Sequence, residues 1–214
     1  APHGPLEAPQ EDVEWVRNHT ENVNENIQTL YAMVRRLDWN IGRFLSALEQ
    51  RGLRENTVIL FVSDNGPQFW GRPEAPLDRF NNGFRGWKGH VYEGGIRVPA
   101  IMSMPGTIPS GEQRDQIIKN MDFLPTVLEL CGIPLPDKTI DGYSLWNIIN
   151  HGDAPENYEE LVFQWQNWWM ARQGNWKLFD SNNREQSQSE YPFLANLGDT
   201  CPERENHIEK EPQI

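Results

Sequence analysis

The sequence predicts an α/β fold that passes, near residue 155, into a small antiparallel sheet. Three observations carry this. Leu30, Val34, Leu37, Ile41, Leu45 and Leu48 recur at spacings of four and three, a helical stripe. The run Val58-Ile59-Leu60-Phe61-Val62 is apolar without alternation and ends in Ser63-Asp64-Asn65-Gly66. Such a run reads as a strand buried on both faces, of the kind found in parallel α/β sheets. After His151-Gly152-Asp153-Ala154-Pro155 the chain turns to short aromatic-rich runs separated by turn residues, the pattern of an antiparallel meander. The expected organisation is an α/β part over residues 1–155 and a sheet subdomain over 156–214.

In chain order, residues 1–12 are rich in Pro and Gly and read as an extended loop carrying a lone His3. The stripe predicts a helix from Asn26 to Arg51, stopped by Gly52. The strand Thr57–Ser63 follows a short loop, and residues 66–86 form a long loop with Phe69, Trp70 and Phe80 interspersed. These aromatic residues read equally well as a stacking surface for a sugar or aryl group and as plugs that pin the loop. Ile96–Met104 reads as a second buried strand, Gln116–Asn120 as a short one, and Phe123–Cys131 as a helix. A further helix opens at Asp141 and ends near Asn150. The meander runs are 161–166, 168–172 and 175–180, in which Trp165, Trp168, Trp169 and Trp176 read as sheet packing rather than a ligand platform. Residues 181–190 read as loop.

The charge balance, 31 Asp and Glu against 19 Lys and Arg, argues against nucleic acid or an anionic membrane as partner. No apolar run approaches the roughly 20 residues of a membrane helix, and Ala1-Pro2-His3-Gly4-Pro5 has no secretory-signal character. Cys131, in an apolar helical pattern, reads as a packed thiol. Cys201 lies in a Pro-flanked turn, and the two make no disulfide framework.

The candidate chemistry starts at Asp64 and Asn65, at the carboxyl end of the predicted strand, where α/β sheets bind ligands. A carboxylate beside a carboxamide offers hard oxygen donors suited to Ca²⁺ or Mg²⁺. Asp-Asn-Gly is also ordinary turn chemistry, with Gly66 for a sharp bend. Lys88 is a mobile point charge suited to an anionic oxygen. Gly94 and Gly95 allow a close backbone approach, and Glu93 and Arg97 are spaced as a structural ion pair.

Together these segments resemble the C-terminal half of a formylglycine-dependent sulfatase of the alkaline-phosphatase-like superfamily. The resemblance lies in Pro2-His3-Gly4-Pro5-Leu6, Thr57 to Gly66, and Lys88 with Tyr92-Glu93-Gly94-Gly95-Ile96-Arg97-Val98-Pro99. It continues through Asp122-Phe123-Leu124-Pro125-Thr126, Asp141-Gly142-Tyr143-Ser144-Leu145, Gly174-Asn175-Trp176-Lys177-Leu178 and Pro202-Glu203-Arg204-Glu205-Asn206. It implies a partial alkaline-phosphatase-like sandwich followed by a small antiparallel sheet. It implies that Asp64 and Asn65 ligate a cation, Ca²⁺ with Mg²⁺ as the alternative, and that Lys88 and His3 contact the sulfate and serve in catalysis. It also implies a sulfated small molecule or glycan as substrate and a periplasmic, secreted or lysosomal setting.

The family's nucleophile, a formylglycine made in a Cys/Ser-x-Pro-x-Arg motif, has no counterpart here. Cys131 is followed by Gly-Ile-Pro-Leu and Cys201 by Pro-Glu-Arg-Glu. The family's Asp-Asp pair and its Lys-x-x-His segment are also absent. The chain alone is therefore expected to be inactive, its partner being the N-terminal half that carries formylglycine, or a second copy in a self-associated dimer. The alternative readings are a phosphodiesterase or phosphonate hydrolase of the same superfamily, and a non-catalytic scaffold.

Overall fold

The computed structural model describes residues 2–68, 81–181 and 192–211. Phe69, Trp70 and Phe80 and the predicted loop from 182 to 190 fall outside them. The described residues divide into two units, one over 2–57 and the other over 58–68, 81–181 and 192–211.

The first unit is a helical hairpin, α1 (Gln10–His19) and α2 (Glu25–Gln50). Asn24 caps α2, its side chain accepting from the Ile27 N–H at 3.0 Å. Gly52, at φ 63°, closes the helix as predicted, and the Leu53 N–H reaches back to the Leu48 carbonyl at 2.9 Å. The turn of helix α1 inside the predicted N-terminal loop was hidden because its binding is ionic. Buried Asp12 accepts from Arg35 and, at 2.5 Å, from Arg36 Nε. The stripe of α2 is less buried than its periodicity suggests. Ile27 and Ala32 are buried, Leu37, Ile41, Leu45 and Leu48 are half-buried, and Val34 is exposed. At 1.5 Å per residue α1 spans about 15 Å and α2 about 39 Å, so α1 covers only part of it.

The second unit begins with β1 (Ile59–Val62), which pairs with β2 (Ala100–Ser103). The expectation of a parallel strand buried on both faces is corrected here. The ladder is antiparallel, with Phe61 opposite Ile101, and these two are 37% and 60% exposed. Among the described residues β1 has one hydrogen-bonded neighbour, and the face of the pair that carries Phe61 and Ile101 is partly exposed. The predicted strand Ile96–Met104 is likewise shorter. Its first residue, Ile96, ends a helical turn, α3 (Glu93–Ile96), closed by the Arg97 N–H donating to the Glu93 carbonyl at 2.8 Å, and Arg97 to Pro99 are irregular.

The segment 116–120 is not a strand. The Gln116 amide donates to the Gly152 and Ala154 carbonyls, both at 2.9 Å, and Asp122 captures the Lys119 N–H at 2.7 Å, drawing the chain into a 3₁₀ turn. Helix α4 (Phe123–Leu130) follows as predicted, but Cys131 is exposed rather than packed. Residues 141–145 are irregular, and α5 covers only Trp146–Asn150. Buried Asp122 accepts from the Tyr143 N–H at 2.9 Å and from the Tyr158 hydroxyl, and Thr126 Oγ1 accepts from the Leu145 N–H at 2.8 Å. Burial first, and the bond to Asp122 second, push the Tyr158 phenol up.

The expected meander is present as a four-stranded antiparallel sheet in the order β3 (Glu160–Trp165), β4 (Trp168–Gln173), β5 (Trp176–Ser181), β6 (Phe193–Asn196). Leu161, Met170, Phe179, Phe193 and Ala195 form its buried face. Val91 and Tyr92 pack onto that face, with the Tyr92 and Phe179 ring centroids 4.7 Å apart. The apolar grip on Val91 and Tyr92 fixes the segment between Lys88 and Glu93.

Candidate active site

Lys88 occupies the corner of a tight turn. The His90 N–H donates to the Trp87 carbonyl at 2.9 Å, and Gly89 has φ 90°. A positive φ at the third residue of such a turn defines type II geometry and calls for glycine. Lys88 is therefore the second residue, with its side chain half-buried. Its own N–H donates to the Pro67 carbonyl at 2.9 Å, which ties the turn to the segment just past Asp64-Asn65-Gly66.

The glycines complete the tie by contact. A Cβ on Gly66 would lie 1.9 Å from the Gly94 carbonyl oxygen; one on Gly94 would lie 2.3 Å from the Gly86 oxygen, and one on Gly95 2.1 Å from the His90 oxygen. The Gly66 N–H donates to the Gly95 carbonyl at 2.8 Å, and the Gly94 N–H to the Arg85 carbonyl at 2.7 Å. The chain bends at Gly66 as expected, and what requires glycine there is the close approach of the Gly94–Gly95 backbone.

At the strand end, the Ser63 hydroxyl donates to the Asn65 carbonyl and the Asn65 carboxamide nitrogen to the Gly66 carbonyl, both at 2.8 Å. With its nitrogen turned to the backbone, Asn65 has its Oδ1 as the remaining donor to a cation. Asp64 is exposed beside it. The donor set is chemically right for Ca²⁺ or Mg²⁺, yet offers about three oxygens where Ca²⁺ takes roughly six to eight. His3 lies in the other unit, exposed, with Nδ1 3.0 Å from the Gly4 carbonyl oxygen.

His90, to which the sequence assigns no role, is half-buried within the same turn. Its Nδ1 lies 3.4 Å from the Trp87 nitrogen as acceptor, and its ring lies 4.3 Å from that of Trp87. Burial, and secondarily Arg85, hold its pKa below the ordinary imidazole value. The neutral ring suits the acceptor role.

A buried ionic triad locks the glycine segment to the sheet. Lys177 Nζ donates to Glu93 Oε1 at 2.7 Å and to Glu203 Oε1 at 2.8 Å, and the Glu93 N–H donates to Glu203 Oε2 at 2.8 Å. The predicted pair of Glu93 with Arg97 exists at 3.6 Å but is the looser contact. Arg85 donates to the Glu203 carbonyl at 2.8 Å and stacks over Tyr92. Burial raises the Glu203 carboxyl above its ordinary value, with Lys177 opposing. Lys177 and Glu203 were missed as functional candidates. The available signal was a lysine at an inward position of β5, alternating with Phe179.

Among the described residues, Asp199, Glu205 and His207 form a three-residue group with metal-ligand reach. Its members already pair, His207 Nε2 with Asp199 at 2.9 Å and Glu205 with Lys210. This network joins the closing turn, where Asn206 accepts from the Leu194 N–H at 3.0 Å.

The fold is shared with an alkaline phosphatase superfamily protein from Vibrio parahaemolyticus, with a TM-score of 0.54 at 17% identity over 91% of this chain and 38% of that one. The Sulfatase family matches residues 1–133, and the pattern described as N-sulphoglucosamine sulphohydrolase, C-terminal, matches residues 83–185. The chain belongs to the sulfatase family. It is 35% identical to steryl-sulfatase of Mus musculus over 155 residues, 68% of this chain and 25% of that protein. A solved structure, Ps i-CgsB in complex with k-i-k-neocarrahexaose, matches with a TM-score of 0.79 at 25% identity, covering 100% of this chain and 45% of its own. The chain thus spans about a quarter of the length of the curated relatives it matches.

Proposed function

We propose that this chain forms part of a sulfuric ester hydrolase acting on sulfated carbohydrate. In this reading residues 1–155 contribute to the α/β core and 156–214 form the C-terminal sheet subdomain. The observation that carries it is the Lys88 turn, tied by a 2.9 Å hydrogen bond to the segment that follows Asp64 and Asn65. An ammonium at the corner of a fixed turn contacts a sulfuryl oxygen without having to be reoriented during reaction. His3 is the second group for the sulfate, and one of the pair protonates the departing alcohol.

Asp64 and Asn65 would hold Ca²⁺, with Mg²⁺ as the alternative. The cation would supply stabilisation of charge developing on the sulfuryl oxygens. A formylglycine nucleophile is not encoded in these 214 residues. The open face with Phe61 and Ile101 suits contact with further sulfatase core or with a second copy of the chain.

The test is turnover of an aryl sulfate against the matching aryl phosphate, with this chain combined with a formylglycine-bearing N-terminal sulfatase portion. Preference for sulfate is expected. Preference for phosphate would favour the phosphodiesterase or phosphonate hydrolase reading. Turnover by the 214-residue chain alone would show that the nucleophile lies within it.

A further inference from the structure

Lys88 reads an anion, not the molecule that carries it, because an ammonium is a point charge. Selection among sulfate esters must come from surface beside the turn. Trp87 and His90 belong to the turn itself and pack on each other, and a third large side chain comes from the sheet. Trp165 ends β3, and its indole Nε1 lies 3.6 Å from the position that a Cβ on Gly89 would take. The indole therefore lies beside the residue next to Lys88, with room for little more than a methyl group between them.

Its exposure is unlike that of its neighbour. Trp165 is 54% exposed, whereas Trp168, its partner across the hairpin, is packed against the buried core of the sheet. The sequence-based expectation that all four tryptophans of this region serve packing is corrected at this position. The hairpin also fixes where Trp165 stands. Six registered pairs join β3 to β4. At the tip Gln166 adopts φ 53°, and the Gln164 amide donates to the Gln166 carbonyl at 3.1 Å. Both glutamines are exposed.

We propose that Trp165 is a stacking platform for the sugar ring of a sulfated saccharide whose sulfate is held by Lys88. An indole offers a rigid apolar face for the C–H face of a pyranose and an N–H edge for a hydroxyl, at the cost of ordering two torsions. The hairpin tip is polar, with Gln164 and Gln166 exposed, which suits a ring that bears hydroxyls better than a bare apolar skeleton. The solved relative that covers this whole chain was crystallised with an oligosaccharide, in keeping with that choice. The inference rests on the reading of Lys88 as the sulfate-binding residue.

The experiment is an equilibrium titration of the 214-residue chain, followed by NMR at the Trp165 indole N–H. The probes are a sulfated κ-carrageenan tetrasaccharide, the same saccharide after desulfation, inorganic sulfate, and a steryl sulfate. The sulfated saccharide should shift the Trp165 resonance and bind at least tenfold more tightly than its desulfated form. Trp165→Ala should weaken it at least tenfold while leaving inorganic sulfate within twofold, and Trp165→Phe should retain it within threefold. Lys88→Ala should weaken both the saccharide and sulfate. Unchanged saccharide affinity in Trp165→Ala, with loss in Lys88→Ala, would overturn the platform and leave the lysine standing. Unchanged affinity in Lys88→Ala would overturn the reading beneath it. Failure of the wild-type chain to bind the saccharide, or tighter binding of the steryl sulfate, would overturn the sugar assignment.

Discussion

Replacing Lys177 by Met should be the most damaging single change in the sheet unit. The ammonium bridges two carboxylates at 2.7 and 2.8 Å, and none of the three side chains is more than 5% exposed. Met fills much of the volume but leaves Glu93 and Glu203 without their shared cation. Breaking a buried pair in this way costs about 3–5 kcal/mol, because an uncompensated charge remains. At about 2–4 °C per kcal/mol for a chain of this size, the melting midpoint should fall by roughly 6–20 °C. The loss should depend on pH in a defined direction. Glu203 already has a pKa raised above its ordinary 4.5 by burial, and Lys177 is the group that lowers it. A carboxyl with a raised folded-state pKa contributes stability below its unfolded value and loses it as pH rises through the folded one. The Lys177→Met deficit should therefore be smallest near pH 4.5 and grow toward pH 7. Urea unfolding at the two pH values measures both. Adding Glu93→Gln and Glu203→Gln should recover most of the loss at neutral pH. A deficit under about 1 kcal/mol, or one that grows on acidification, would refute the triad as the lock on the glycine segment.

Gly94→Ala should destabilise by about 1–3 kcal/mol, since the new methyl group meets backbone oxygens that no rotamer change can move. Gly42→Ala, with nothing within 4 Å in the interior of α2, should instead stabilise by about 0.5–1 kcal/mol in the same melts. His90 has a folded-state pKa lowered by burial, so its contribution is present above 6.5 and lost as pH falls below that value. His90→Phe should remove this loss, and the stability gap between wild type and variant should narrow from pH 7.5 to 5.5. Calorimetric titration should show Ca²⁺ bound more weakly than micromolar, because Asp64 and Asn65 offer too few oxygens. A tighter site lost in Asp64→Ala would contradict that count.

The meander and the α2 helix were legible because each has a local period, two for the strands and about 3.6 for the helix. Gly94 and Gly95 were legible as close approaches, but their partners were not. Gly66 meets Gly94 through contacts between segments some 28 residues apart, a relation no window of sequence shows. The same holds for Lys177, Glu93 and Glu203, joined across 84 and 26 positions. Burial misled in both directions. The Val58–Val62 run promised two covered faces, but among the described residues little packs over the face that carries Phe61 and, opposite it, Ile101. Trp165 was assigned to packing because hydrophobic bulk predicts burial, whereas at the tip of the β3–β4 hairpin it is 54% exposed. Of the four site residues expected from sequence, Asp64, Asn65 and Lys88 lie on segments joined by backbone hydrogen bonds, and His3 is described in its own unit.

The central claim is that the glycine-locked turn presents Lys88 to a sulfate ester. The most direct measurement is kcat for an aryl sulfate by this chain combined with a formylglycine-bearing N-terminal sulfatase portion, comparing wild type, Lys88→Ala and Lys88→Arg. Loss of one ammonium from the developing negative charge should lower kcat by about 10²–10³ in Lys88→Ala. Lys88→Arg should lie between, since the cation is kept but its planar fork does not fit a point-charge position. A Lys88→Ala variant that turns over within threefold of wild type would contradict the account.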